Sequence, residues 1–176
     1  GIVKNGLVRI DLGDQLEIYA KKKRSLKYLA ELEQPPHREA GKPMKVVAVL
    51  PAYNAARTLK KTVEDIPKGA VDDIMVVDDG STDATVRIAK ELGLKVFTHE
   101  KNKGYGANQK TCYEKALAAG ADIVVMIHPD YQYDPKVIPE LVAPIQEGRA
   151  DAVFGSRMMK GGALEGGMPL YKHNAN

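Results

Sequence analysis

Lys45-Val46-Val47-Ala48-Val49-Leu50-Pro51-Ala52-Tyr53-Asn54, followed by Asp73-Ile74-Met75-Val76-Val77-Asp78-Asp79-Gly80-Ser81-Thr82-Asp83, decides the fold class. Each stretch opens with a continuous apolar run of strand length. A run without polar alternation belongs to a strand covered on both faces, as in parallel sheets. Each run then turns abruptly polar. Between the two, Ala55–Ile66 carries helical spacing and stops at Pro67, because proline cannot continue a helix.

The alternation continues downstream. Thr82 or Asp83 caps a helix expected through Leu92 and stopped by Gly93. Leu94–Thr98 reads as a third strand, Tyr105–Ala119 as a long helix ended by Gly120, and Asp122–Ile127 as a fourth strand, again with a continuous apolar run. Pro135–Gly148 reads as a helix troubled inside by Pro139 and Pro144, and Ala152-Val153-Phe154 as a short fifth strand. Strands alternating with helices of this length imply right-handed crossovers. The expected fold is α/β, a mostly parallel Rossmann-like sheet flanked by helices. Ligands of such sheets bind beyond the carboxyl ends of the strands.

Upstream, residues 1–43 are polar and charge-rich and end in Gln34-Pro35-Pro36-His37-Arg38-Glu39-Ala40-Gly41-Lys42-Pro43, a linker composition. Asp14–Glu33 is expected to be a helix, with Asp14 as N-cap and Tyr19, Leu26, Leu29 and Leu32 as a partial apolar stripe. Ile2–Ile10 reads as one short strand. The chain is thus expected to be an N-terminal extension with helix and linker, 1–43, followed by a domain over 44–176. Lys21, Lys22, Lys23, Arg24 and Lys27 form a basic cluster. It reads either as a solvated helix face or as a peripheral contact with an anionic membrane.

Composition narrows the function. The 176 residues fit one domain with an appended segment. A net charge of +3 is too small to argue for nucleic acid, and the lack of Trp argues against a base-stacking platform. Cys112 is the single cysteine, which rules out an intrachain disulfide and suits a reducing compartment. No apolar run is long enough to span a bilayer and the start does not read as a signal peptide. A cytoplasmic placement, with contact at the cytoplasmic membrane face, is therefore expected.

Polar residues gather at the strand ends. The first strand runs into Pro51-Ala52-Tyr53-Asn54, the second into Asp78-Asp79-Gly80-Ser81-Thr82-Asp83, the fourth into His128-Pro129-Asp130-Tyr131-Gln132 and the fifth into Gly155-Ser156-Arg157. Each cluster alone is also a good turn or helix cap. Their joint occurrence on one rim argues for a site. Lys103-Gly104-Tyr105-Gly106 lacks the glycine spacing of a dinucleotide loop.

Taken in order with Asn102-Lys103-Gly104-Tyr105-Gly106-Ala107, these clusters resemble the motifs of GT-A glycosyltransferases of family 2. The likeness runs from about Lys45 to the carboxyl end. Gln132 after Asp130, and Gly-Ser-Arg followed by Gly161-Gly162, resemble the dolichyl-phosphate mannosyltransferase branch in particular. The resemblance implies a nucleotide-diphospho-sugar fold and an inverting transfer of sugar to a polyprenyl phosphate. It implies that Pro51, Ala52, Tyr53, Asp78, Asp79, Lys103, Gly104 and His128 bind the nucleotide-sugar, with Pro51 and Tyr53 lining the base pocket. It further implies that Asp130 holds Mn²⁺ or Mg²⁺ with support from Gln132, and that Arg157 and Lys172 bind the acceptor phosphate. Asp130 and Arg157 are the catalytic expectation. The implied donors are UDP-glucose, UDP-N-acetylglucosamine or GDP-mannose.

Two residues depart from the motifs. His128 stands where an Asp is usual, and imidazole suits Mn²⁺ better than Mg²⁺, so His128 reads either as a metal ligand or as a non-ligand. Ala55 stands where Glu is frequent, which leaves base and ribose contacts open. The resemblance also implies further acceptor-side elements after Lys172. The competing readings are a family 2 transferase acting on a saccharide hydroxyl and a non-catalytic nucleotide-sugar-binding module. A nucleotidyltransferase is disfavoured because no Gly-rich phosphate loop follows the first strand.

Overall fold

The computed structural model describes residues 43–156 and, before them, the strands β1 (Val3–Lys4), β2 (Leu7–Asp11) and β3 (Glu17–Lys21). The chain divides into two compact units, Lys42–Pro139 and Gly1–Gly41 together with Glu140–Asn176. The sequence reading had kept 44–176 in one domain.

The unit at Lys42–Pro139 is the parallel α/β body. Its strands are β4 (Val46–Ala52), β5 (Asp73–Asp78), β6 (Lys95–Thr98) and β7 (Ile123–Met126). They lie in the order β6-β5-β4-β7, all parallel. Every residue of β4 is buried, which is why its run carries no polar alternation. Val47 and Val49 pack with Met75, Val77, Cys112 and Ala116, and Phe97, Val124 and Met126 close around them. Each aliphatic side chain so covered contributes about 1.5–3 kcal/mol relative to exposure. Cys112 behaves here as a small hydrophobe, its thiol pushed up to about 12 by burial.

Three helices connect these strands: α1 (Leu59–Glu64), α2 (Thr85–Glu91) and α3 (Tyr105–Ala118). α1 starts later than the periodicity predicts. The N–H groups of Ala55 and Ala56 go instead to Thr85 Oγ1 and the Asp83 carboxylate, at 2.8 and 3.1 Å. The approach to α1 is thus satisfied by side chains at the start of α2 rather than by a cap of its own. A 3-10 turn, Pro135–Val137, leads into α4 (Ile138–Gln146), which spans the division between units. Pro139 lies in the first turn, where an N–H would be unpaired anyway. The strand order reverses at β4, which has β5 on one side and β7 on the other. The crevice between the carboxyl ends of β4 and β7 is the topological switch point of the sheet.

In the other unit, β1, β2 and β3 pair antiparallel, and β3 pairs antiparallel with β8 (Val153–Ser156). Three expectations are corrected. Ile2–Ile10, expected as one short strand, holds two strands that pair antiparallel, Val3–Lys4 and Leu7–Asp11. The helix expected over Asp14–Glu33 holds a strand at Glu17–Lys21; residues 14–16 and 22–33, with Lys22, Lys23, Arg24 and Lys27, lie outside the described residues, as do linker residues 34–42. Leu7–Asp11 matches Glu17–Lys21 in a five-pair register, a nonlocal partner that outweighs a partial helical stripe. The fifth strand does not join the parallel sheet. Phe154 is 70% exposed, whereas an internal parallel strand would be covered on both faces.

Candidate active site

A cleft of about 270 Å³ opens at the switch point. Its walls include Pro51, Ala52 and Tyr53 from the end of β4, Asp79 from the end of β5, and His128, Pro129 and Asp130 from the end of β7. These three rim clusters are brought together as the rim argument expects. Of the fourth cluster, Gly155 and Ser156 belong to β8 of the other unit, and Arg157, like Lys172, lies outside the described residues.

Local chemistry explains the loop at β5. Asp78 is buried, and its Oδ2 accepts from Ser81 N at 3.0 Å. Gly80 follows with φ 75°. A Cβ there would stand 2.9 Å from Asn102 N and 3.1 Å from the Lys101 carbonyl carbon, so this loop requires glycine both for its φ and for the close backbone approach. Asn54, itself left-handed with φ 51°, ties the β4 loop to the β5 loop. Its N–H donates to Ser81 Oγ at 2.8 Å, and its Oδ1 accepts from Thr82 N at 2.9 Å. The N-cap of α2 is Ala84 rather than the expected Thr82 or Asp83; Asp83, one residue before it, accepts from Thr85 N at 2.9 Å. Burial pushes the Asp83 carboxyl up, but hydrogen bonds from the Thr85 hydroxyl and N–H and from Ala56 N–H outweigh it and leave the carboxyl below its ordinary value.

Asp79 is the hub. It is 2% exposed. Its Oδ1 accepts from His99 Nδ1 at 2.7 Å and from Lys103 N at 2.9 Å, and its Oδ2 accepts from Gly104 N at 2.9 Å. Burial alone would raise its carboxyl, yet the hydrogen bonds from His99, Lys103 and Gly104 hold it below the usual carboxylate value. Asp79 is therefore an ionised carboxylate that shapes the Lys103–Gly104 turn at one side of the cleft. Lys103 and Gly104 join the site through their backbone and are not among the lining residues.

His128 is held from α3. Its ring stacks on Tyr105 with centroids 5.3 Å apart and planes at 26°. Tyr105 Oη lies 3.2 Å from His128 Nε2 and accepts from Gln109 Nε2 at 2.6 Å. Asp130 Oδ1 accepts from Gln132 N at 3.0 Å, so Gln132 reaches Asp130 through its backbone.

The residues suit a divalent ion of a particular kind. Among the described residues no three His, Cys, Asp or Glu side chains gather to hold a metal. An octahedral Mg²⁺-like site needs one or two carboxylates when substrate phosphates and water complete the shell. Asp130, a carboxylate on the cleft wall, fits that donor set.

Sequence reasoning assigned no role to His99, Asn102, Tyr105 or Asn108, all of which line the cleft or hold Asp79. His99 directly follows β6, so the strand-end rule applies to it as well. Asn108 shares a helix face with Cys112 and Ala116, at i, i+4 and i+8, and a polar residue on that apolar face is the signal. It is 3% exposed and donates to Val77 O at 3.0 Å, while its Oδ1 has no partner among the described residues.

The glycosyl transferase family 2 model matches residues 47–173. UDP-N-acetylglucosamine–dolichyl-phosphate N-acetylglucosaminyltransferase of Methanococcus voltae is 34% identical, covering 74% of this chain and 59% of that protein. Dolichol-phosphate mannosyltransferase of Pyrococcus furiosus is 34% identical over 73% of this chain and 37% of that one. Among solved structures, glucosyl-3-phosphoglycerate synthase from Mycobacterium tuberculosis, crystallised with Mn²⁺, UDP and phosphoglyceric acid, matches with a TM-score of 0.50 and 31% identity. That match covers 58% of this chain and 39% of the other. The same synthase is also known with Mg²⁺ and UDP. This chain spans roughly half the length of several relatives it matches, 54% to 59% for three of them.

Proposed function

The chain belongs to glycosyl transferase family 2, and from that premise we propose that it transfers a sugar from a nucleoside-diphosphate donor to a polyprenyl phosphate with inversion. The single observation carrying this reading is the convergence of Tyr53, Asp79 and Asp130 on one cleft at the switch point. Similarity to two enzymes named for dolichyl phosphate supports the acceptor class.

Each residue has a role in this reading. Tyr53, 53% exposed at the mouth, offers a face to the nucleobase beside Pro51 and Ala52. Asn108, a lining residue anchored to Val77 O, backs the donor pocket from α3. Asp79 holds the Lys103–Gly104 turn that borders the diphosphate. His128, its ring stacked on Tyr105, presents imidazole to the donor from the cleft wall. Asp130, with Gln132 beside it, is the residue that would hold Mn²⁺ or Mg²⁺. When bound, such an ion supplies Lewis-acid stabilisation of the departing nucleoside diphosphate. A phosphate acceptor is already anionic, so its attack on the anomeric carbon needs little help from a general base. Arg157, with Lys172, supplies the forked and point charges that would orient that phosphate.

The phosphoglyceric acid held by the solved synthase favours a second reading, in which the acceptor is a small phosphorylated acid. Among the described residues no helix is long and apolar enough to cross a membrane; a peripheral contact through the basic cluster at 21–27 remains part of the first reading. The test is incubation of the chain with radiolabelled UDP-glucose, UDP-N-acetylglucosamine or GDP-mannose, Mn²⁺, and either polyprenyl phosphate or phosphoglyceric acid. Label extracted into organic solvent supports lipid transfer, label on the acid supports the second reading, and donor binding without product defeats both.

A further inference from the structure

We propose that α1 clamps the turn carrying Asp130, and that Tyr131 is the positioning residue it grips. The inference rests on the reading of Asp130 as the metal-holding group. Tyr131 has φ 61°, a left-handed conformation that crowds Cβ against the following carbonyl. Bulky residues keep such a conformation only where their surroundings over-determine it, and such places cluster at functional sites.

The surroundings are three contacts from one stretch. Thr58, Lys61 and Asp65, spaced three and four residues apart, share a face of α1 and its caps. Thr58 Oγ1 donates to the carbonyl of Pro129. Lys61 Nζ sits 4.0 Å from the centroid of the Tyr131 ring, within cation–π range. The Tyr131 hydroxyl donates to the Asp65 carboxylate. Pro129 and Tyr131 flank Asp130, so the backbone that carries the carboxylate is held from both sides. Its Oδ1 is then oriented by Gln132 N at 3.0 Å. None of Thr58, Lys61 and Asp65 lines the cleft; they act through Asp130.

A merely structural tether would stabilise the chain without tuning metal affinity, and the two roles separate experimentally. Mn²⁺ is titrated into the full chain with UDP, and separately with GDP, free Mn²⁺ being read by electron paramagnetic resonance. Wild type is compared with Tyr131→Phe, Asp65→Ala and the double variant. Nucleotide affinity without metal and thermal unfolding are measured beside it. Loss of one charge-assisted hydrogen bond predicts Mn²⁺ affinity about fivefold weaker in either single variant. The double variant is expected to be no weaker, because both changes remove one interaction. Metal-free nucleotide affinity stays constant. Unchanged Mn²⁺ affinity overturns the clamp, as does a fall that tracks both unfolding temperature and metal-free nucleotide affinity. A wild-type chain that binds neither nucleotide in a Mn²⁺-dependent way instead defeats the functional reading, and the clamp with it.

Discussion

Replacing Asp79 by Asn exchanges one carboxylate oxygen for an NH₂ group and tests the architecture of the cleft wall. The carboxylate takes two hydrogen bonds on Oδ1, from His99 and Lys103 N, and one on Oδ2, from Gly104 N. An amide keeps one oxygen. If that oxygen retains His99 and Lys103, its NH₂ group faces the N–H of Gly104, donor against donor. Asn102 Oδ1, 2.9 Å from the same N–H, softens but does not cancel the loss. One bond to a charged acceptor disappears, worth about 1.5–3 kcal/mol, and two others lose their ionic component. The site is 2% exposed, so solvent offers little relief. The expected cost is about 2–4 kcal/mol of stability, measured by urea unfolding at pH 7 followed by circular dichroism. The sign with pH is fixed. Asp79 has a depressed carboxyl in the folded state, so its contribution is present above the unfolded value of about 4 and is lost as pH falls through the lower folded value. The gap between wild type and variant must therefore narrow in acid. A cost below about 0.5 kcal/mol, the range of an ordinary surface substitution, with unchanged nucleotide affinity, would refute the hub.

Gly80→Ala places a methyl group against the backbone at Asn102 while φ stays positive; roughly 2–4 kcal/mol of destabilisation is expected from conformation and overpacking together, read by thermal unfolding. Asp73 is depressed by its bonds to Lys95 and then Lys45, so Asp73→Asn should cost less than Asp79→Asn, because these partners are half exposed and screened. His128→Ala removes a ring from the cleft wall and its stacking on Tyr105, so donor affinity should fall with Mn²⁺ affinity nearly unchanged; calorimetric titration of the donor checks this. Cys112, buried with its thiol pushed up to about 12, should resist a thiol reagent at pH 8 until urea unfolds the chain, and rapid labelling of the native chain would contradict its place in the core.

The parallel body was legible because its signals are local. β4, β5 and β7 are apolar runs with polar ends, and Gly93 and Gly120 follow α2 and α3 as expected. The rim logic placed Pro51, Tyr53, Asp79, His128 and Asp130 together because a parallel sheet sends every strand end to the same edge. What failed depends on nonlocal pairing. Glu17–Lys21 is a strand only because β2 and β8 lie on either side of it, and no periodicity within the segment shows that. β8 was assigned to the wrong sheet for the same reason. His99 and Asn108 escaped notice because their roles arise from contacts made across 20 and 31 residues of sequence. Tyr131 is marked by its backbone conformation and its contacts with Lys61 and Asp65, none of which a sequence pattern displays.

The central claim is that a metal-bridged diphosphate docks where β4, β5 and β7 deliver Tyr53, Asp79 and Asp130. Crystals of the full chain grown with UDP or GDP and Mn²⁺, with data collected at the manganese absorption edge, test it directly. The account predicts an anomalous peak within bonding distance of the Asp130 carboxylate, contiguous with nucleotide density in the cleft beside Tyr53. A manganese peak held by other residues, or nucleotide bound on another face of the sheet, would contradict it.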